Sequence, residues 1–249
     1  MNGAGTSLLS GERCRVQPSG RTAQPIAPAA AEGLIGQWPQ LFPQYRSTVR
    51  SFRRGDVIAG AGVTGDMFAR IHRGLVGANA LLADGREFIV DIMPKGSVVG
   101  EIEVLRRQPM NLEYRALSDC ELHFYDGRLL REHCANDPHF QIELLSKALS
   151  RITELELRII SSAGGSLMSR LAQTLLRLSM IYGVDGGDAD LMTISQHELA
   201  ATVPASREKV NQCLRRLRES KVIAGSHGTI RILNRSALES HARNCGGVA

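Results

Sequence analysis

Between Ile194 and Leu217 the chain reads ISQHELAATVPASREKVNQCLRRL: a helix with apolar spacing, a short break, and a second helix opening on Ser206-Arg207-Glu208. Leu199, Ala200 and Val203 share one face of the first helix, and Val210, Leu214 and Leu217 recur at three- and four-residue spacing on the second. Each helix therefore has a stripe to bury against the other. The remaining face of the second carries Arg207, Glu208, Asn211, Gln212, Arg215 and Arg216, side chains able to pair with base edges and phosphates. Ser206 is placed to cap it, since its hydroxyl can accept a bond from an unpaired amide of the first turn. The pair reads as a helix-turn-helix. Taken alone, a basic helix is more often a solvated face, so the surrounding sequence must decide.

After Lys221 come Val222-Ile223-Ala224, Gly225-Ser226-His227-Gly228 and Thr229-Ile230-Arg231-Ile232-Leu233. Two β-branched runs joined by a glycine-bounded turn make a hairpin, which directly after a recognition helix is a wing. On the Ser206-Arg207-Glu208 opening, the Val210 and Leu214 spacing and this wing, the segment resembles the DNA-binding domain of the cyclic-AMP receptor protein and fumarate-nitrate regulator (Crp/Fnr) class of bacterial transcription regulators. The resemblance implies that Arg207 and Glu208 read a guanine and a cytosine. Gln212 stands where the family has a second arginine, and its amide can pair with adenine N6 and N7. Pro204 departs from the glycine usual in the turn, whose positive φ proline cannot adopt.

At 249 residues, 43% hydrophobic and 22% charged, the chain has room for two ordinary domains. No stretch approaches the roughly 20 apolar residues of a spanning helix, and the N-terminus lacks an apolar signal core, so no membrane association and a cytoplasmic location are expected. The net charge of +5 favours a polyanionic partner, and Arg207, Lys209, Arg215, Arg216, Arg218 and Lys221 concentrate it on one short helix.

The first 33 residues are rich in Gly, Ser, Pro and Ala without periodicity and read as a disordered extension. A short helical piece around 34–49 is interrupted by Pro39 and Pro43. From Phe52 to Tyr125 short β runs alternate with turn signals such as Arg54-Gly55-Asp56, Gly74, Asp84-Gly85 and Lys95-Gly96, the cadence of a small barrel or jelly roll. The runs are Val57-Ile58, Met67 to Ile71, Leu75 to Leu82, Phe88 to Ile92, Val98-Val99, Glu113 to Ala116 and Glu121 to Tyr125. Gly55-Asp56, Gly74, Asp84-Gly85-Arg86, Gly96 and Val99-Gly100-Glu101 follow in the order found in cyclic-nucleotide-binding domains, which this stretch resembles. That resemblance places an effector site at Gly100, Glu101 and Ile102, with Glu101 on a ribose hydroxyl, and at Asn111 and Leu112. There the family's phosphate-holding Arg-Ser pair is replaced by Met110-Asn111-Leu112. Asn111 cannot neutralise a phosphate and Leu112 has no hydroxyl, so burying a phosphate diester is costly and cyclic AMP is disfavoured.

From Asp137 to about Ser162 the pattern is helical, with Asp137 as cap and Pro138 in the first turn. Leu145, Ala148, Ile152, Leu155 and Ile159 form a heptad seam, and Leu144, Leu149, Leu157 and Ile160 an adjoining face suited to covering the barrel. A helix of about 39 Å overruns a small barrel, so the seam is expected to make a homodimer. Residues 163–165 read as a hinge, and Leu167 to Tyr182 as the amphipathic helix that opens the reader.

Cys14, Cys120, Cys134, Cys213 and Cys245 form neither metal spacing nor a disulfide framework. His133 beside Cys134 is an adjacency rather than a dyad, and no catalytic residues are found. Some relatives in the family that the chain resembles bind haem, and His72, His123 and His133 are the positions open to such a ligand, but a lone histidine is more often structural. Haem and metal are not expected, and a small-molecule effector other than a cyclic nucleotide is the one ligand left open.

The fold class is α+β: a double-stranded β-helix (jelly-roll) sensor over 34–136, a dimerisation helix over 137–162, a hinge, a winged helix-turn-helix over 166–240 and a tail over 241–249. The expected function is a homodimeric regulator on inverted-repeat DNA, with RNA polymerase as protein partner. The alternatives are a redox, gas or other-metabolite sensor of the same family, and a cyclic-nucleotide-binding module without DNA binding.

Overall fold

The computed structural model describes residues 47–184, 188, 190–203, 205–226 and 228–243. The expected N-terminal extension, most of the 34–49 piece, Pro204 and residues 244–249 lie outside the described residues. Where that piece is described the helical expectation fails, because Thr48–Phe52 is a strand, β1. Its β-branched and aromatic residues extend along Cys120–Asp126, β8, in antiparallel register from Thr48 against Phe124 to Phe52 against Cys120.

The other barrel strands are β2 (Val57–Ala59), β3 (Met67–Arg73), β4 (Val76–Leu81), β5 (Glu87–Met93), β6 (Val98–Val99) and β7 (Glu113–Ala116). They form two antiparallel four-stranded sheets, ordered β1-β8-β3-β6 and β2-β7-β4-β5. Side chains alternate across each strand, so Ala69 and Ile71, Val76 and Ala78, Tyr114 and Ala116, and Leu122 pack in one core. Asp84-Gly85 makes the expected turn: the Leu82 amide donates to the Arg86 carbonyl at 2.9 Å, and Asp84 accepts from the Arg86 amide at 3.1 Å. Gly74 has φ 92°, and a Cβ there would lie 2.4 Å from the Asp119 carbonyl oxygen. Only glycine lets β3 turn into β4 so close to the turn that precedes β8.

Among the described residues two helices join the barrel. One is α1 (Glu101–Arg106), and the other is α2 (Gly127–Asn136), which the sequence reading did not anticipate. Asp126 caps α2 by accepting from the Arg128 amide at 2.8 Å. A second core of Phe68, Val98, Val104, Tyr125, Leu130 and Phe140 holds these helices against the barrel, with the Phe68 and Tyr125 rings stacked 5.4 Å apart.

The long helix α3 spans Pro138–Gly164. Asp137 caps it as expected, accepting from the His139 and Phe140 amides at 3.0 and 3.1 Å. Along the seam Leu145, Ala148, Ile152 and Ile159 are exposed and Leu155 is half-buried. The adjoining face differs from expectation. Leu144 packs against the second core, but Leu149 and Ile160 are exposed, and the Leu157 side chain lies outside the described set. Charged side chains of α3 meet the barrel instead, through Arg151 and Arg158. The expected hinge at 163–165 is displaced, since the helix continues to Gly164 and only Gly165 and Ser166 precede the next one.

The reader comprises α4 (Leu167–Val184), β9 (Leu191–Thr193), α5 (Gln196–Thr202), α6 (Arg207–Glu219), β10 (Ile223–Ala224), β11 (Thr229–Ile232) and α7 (Arg235–Arg243). The wing gains a third strand, in the order β10-β11-β9. α7 crosses residue 240, where the sequence reading placed the boundary, because it packs back on α4: Ser169 Oγ donates to the Ala242 carbonyl at 2.8 Å. Among the described residues no helix is long and apolar enough to cross a membrane.

Candidate functional site

The reading head is built from apolar spacing outward. Val210, Cys213, Leu214 and Leu217 are the buried side of α6, packed in one core with Leu199 and Val203. Burying that arc turns Arg207, Glu208, Lys209, Gln212, Arg215 and Arg216 to solvent, all exposed. Ser206, also exposed, caps the helix, its hydroxyl accepting from the Lys209 amide at 3.4 Å. The amide-rich start of α6 thus adds its dipole to Arg207 and Lys209, favouring a phosphate there.

Two of the expected contact residues sit differently. Asn211 is half-buried, and its side-chain oxygen is out of solvent with no hydrogen-bond partner among the described residues. The helical rotation from Val210 to Asn211 leaves it at the margin of the buried arc. Arg218 is also half-buried, and its Nε donates to the Gly225 carbonyl at 3.1 Å. That bond braces the wing against α6, so Arg218 is in the first place a positioning residue. Gly225 has φ 109°, and a Cβ there would lie 2.3 Å from the Thr229 carbonyl oxygen, which makes the tight wing turn dependent on glycine. An open groove runs between α5, α6 and the wing, lined by Gln196, His197, Arg207, Arg218 and Ser226. Gln196 and His197 were not singled out from sequence, although the S-x-x-E signature around them was readable. Ser195 accepts from the Glu198 amide at 3.1 Å while Glu198 accepts from the Ser195 amide at 2.7 Å, a capping box that aims the start of α5 at this groove.

The reader is fixed to the barrel by apolar and ionic contacts. Leu75, Ile89, Ile92 and Leu117 of the barrel share a core with Leu171, Leu175 and Leu199 of the reader. Arg54 Nη2 pairs with Glu198 at 2.6 Å. Asp91 on β5 is a hub: it accepts from Arg158 of α3 and Arg177 of α4, both at 3.1 Å, and lies 3.4 Å from Arg151. Burial pushes the Asp91 carboxyl up, but Arg158, Arg151 and Arg177 outweigh it and hold it below the usual carboxylate range.

In the sensor, Gly100 turns the chain with φ 86°, and a Cβ on it would lie 3.1 Å from Met110 Cε. Met110 is buried and Leu112 packs in the barrel core, whereas Asn111 and Ile102 are exposed. The replacement of the charged pair therefore fills space with apolar groups. Arg115 is turned away, donating to the Gly55 carbonyl at 3.0 Å and pairing with Glu113. Burial pushes the Glu101 carboxyl up to about 7 against the pull of Arg151 and Lys147. Burial also drives the Lys147 ammonium down to about 8. Sequence reasoning missed these α3 cations, and it missed the buried Glu103, whose Oε2 has no hydrogen-bond partner among the described residues. Burial, with Glu103 and Glu101 adding to it, pushes the Tyr114 phenol far up, so Tyr114 stays a neutral donor.

A jelly-roll sensor, a long helix with an exposed apolar stripe and a winged reading head define an effector-domain regulator that binds DNA. Residues 49–137 match the cyclic nucleotide-binding domain, and residues 169–241 match the Crp-like helix-turn-helix domain. The chain is 26% identical over 195 residues to the HTH-type transcriptional regulator Cmr of Mycobacterium tuberculosis strain CDC 1551, spanning 78% of this chain and 76% of that protein. It is 28% identical over 165 residues to the CRP-like cAMP-activated global transcriptional regulator of the same organism, spanning 66% and 74%. A crystal structure of a CRP/FNR-family transcriptional regulator from Thermus thermophilus superposes with a TM-score of 0.66 at 25% identity, over 80% of this chain and 100% of that one. The protein belongs to the Crp/Fnr family of transcription regulators, with a cyclic-nucleotide-binding-like sensor and a helix-turn-helix DNA-binding domain.

Proposed function

We propose that the protein acts in the cytoplasm as a homodimer that binds an inverted-repeat promoter site and contacts RNA polymerase there, and that it does so without cyclic AMP. The exposed apolar stripe of α3 carries the dimer reading: Leu145, Ile152 and Ile159 are 58%, 52% and 69% exposed in the single chain. Apolar residues in register on a helix that long need a partner, and a two-fold pair through this seam presents two copies of α6. Half-sites about 34–36 Å apart then fit successive major grooves. Arg207, Glu208 and Gln212 supply base contacts, and Lys209, Arg215 and Arg216 supply phosphate contacts.

Selection of preferred sites from random DNA tests the reading head. The parent is expected to recover an inverted repeat with a guanine set by Arg207, and Arg207→Ala to lose about 1–3 kcal/mol and relax one base position. An unchanged motif in Arg207→Ala refutes base reading by this helix. Cyclic AMP at millimolar concentration is expected to leave DNA affinity unchanged. Micromolar binding of cyclic AMP in calorimetry, abolished by Glu101→Ala, would overturn the account of Met110, Asn111 and Leu112.

A further inference from the structure

On the solvent side of the β1-β8-β3-β6 sheet, away from both sites described above, two histidines and one carboxylate converge. Glu121 and His123 alternate to the same face of β8. On β3 the register with β8 shifts between Ile71 and Arg73, which leaves His72 as the extra residue of a bulge. Bulges re-aim side chains, and this one brings His72 over its neighbours on β8. The His72 and His123 rings stack with centroids 4.8 Å apart at 20°. Glu121 Oε1 lies 3.8 Å from His72 Nε2 and 3.4 Å from His123 Nε2. One donor atom from each residue falls within 4.8 Å of the others.

We propose that His72, Glu121 and His123 form a surface site for a divalent transition-metal ion of the zinc type, clipping β3 to β8. Imidazole nitrogen and carboxylate oxygen are the donors that zinc takes at about 2.0–2.2 Å in tetrahedral geometry, which sets neighbouring donors about 3.3–3.5 Å apart. The His123 to Glu121 spacing already meets that figure. His72 is half exposed and has to close by a few tenths of an ångström on Glu121, from 3.8 Å, and by more on His123, since the donor atoms spread over up to 4.8 Å. Three protein ligands leave the fourth position to water, as in open zinc sites. Arg70 lies across from His123 on β3 and shares a strand face with His72, so its charge repels a dication and keeps the affinity modest. None of the described cysteines, Cys120, Cys134 and Cys213, takes part: Cys120 neighbours Glu121 in sequence, but it is buried and its Sγ donates to the Leu75 carbonyl at 3.1 Å.

Zinc titration of the full chain by calorimetry tests the site. One zinc per protomer is expected, with a raised melting temperature, because a ligand held only by the folded state stabilises it. Losing a partner of a metal ligand typically costs about 10- to 100-fold in affinity, and losing a ligand costs no less. His72→Gln, Glu121→Gln and His123→Gln are each therefore expected to weaken binding by at least about tenfold. Cobalt(II) in the parent supplies a readout that needs no variant, its absorption showing no thiolate-to-metal charge-transfer band. Failure to bind zinc at submillimolar concentration, binding unchanged in the three variants, or a thiolate band in the cobalt complex would each overturn the proposal.

Discussion

Replacing Asp91 by asparagine isolates the electrostatics that hold the reader to the sensor. Asparagine keeps the shape and the acceptor that the Ile92 amide uses at 2.9 Å, but it removes the negative charge that faces Arg158 and Arg177 at 3.1 Å. Breaking a buried ion pair from one side costs about 3–5 kcal/mol, because the remaining charge stays desolvated. The side chains of Asp91 and Arg177 each retain 16% exposure, and Arg151 keeps some access to solvent, so the lower end, about 3 kcal/mol, applies. For a chain of this size that is a drop of about 6–12 °C in Tm. The loss should fall on the junction: Arg177 belongs to the reader and Arg158 to α3, so cleavage by limited proteolysis between α3 and α4 should accelerate. The pH profile gives an independent check. A carboxyl held below its ordinary value contributes stability that is present above 3.8 and lost as pH falls through the folded value. Asp91→Asn should lack that part of the acid limb. A variant within about 1 kcal/mol of the parent in urea unfolding, with an unchanged acid limb, would refute the hub.

Ile152→Asp places two carboxylates near the dimer axis and should give a monomer by light scattering where the parent gives a dimer; a parent that is monomeric at tens of micromolar ends that argument. Glu101 has its pKa raised from 4.5 to about 7, so its contribution to stability is complete below the unfolded value and is lost as pH rises through the folded one. Glu101→Gln should accordingly flatten the fall in stability between about pH 5 and 8, and an unaltered slope counts against the burial of that carboxyl. Arg216→Ala should leave Tm unchanged and reduce the salt slope of DNA binding by about one. Arg218→Ala should also lower the reader's stability by about 1 kcal/mol, since it releases the wing; equal behaviour of the two variants would show that Arg218 is only a phosphate contact.

The barrel strands from Val57 to Tyr125 were legible because glycines at turns punctuate them, and the reader's helices because Val210, Leu214 and Leu217 repeat at helical spacing. The strand Thr48–Phe52 was not, since its neighbour β8 lies far along the chain and upstream prolines gave a misleading context. α2 and α7 are short, and their apolar faces are too narrow to register by periodicity; the caps, Asp126 and Asn234, were the available signal. In the sensor, Met110-Asn111-Leu112 could be read as a departure from sequence alone. The contribution of Lys147 and Arg151 could not, because a helix outside the barrel brings them in. Arg218 shows the converse limit: composition marked it as basic, but only the wing's path through Gly225 explains where its guanidinium goes.

The short link between α3 and α4 bears on how such a dimer would choose among DNA sites. Gly165 and Ser166 alone separate the two helices, and the reader is moored again at Asp91 and at Glu198. A reading head tethered at three points has little rotational play. Each base pair inserted between half-sites turns one of them by about a tenth of a helical revolution, and a stiff dimer cannot follow that rotation without breaking a mooring. Spacer length is then discriminated as sharply as base identity, so promoters with good half-sites at the wrong phase would be passed over.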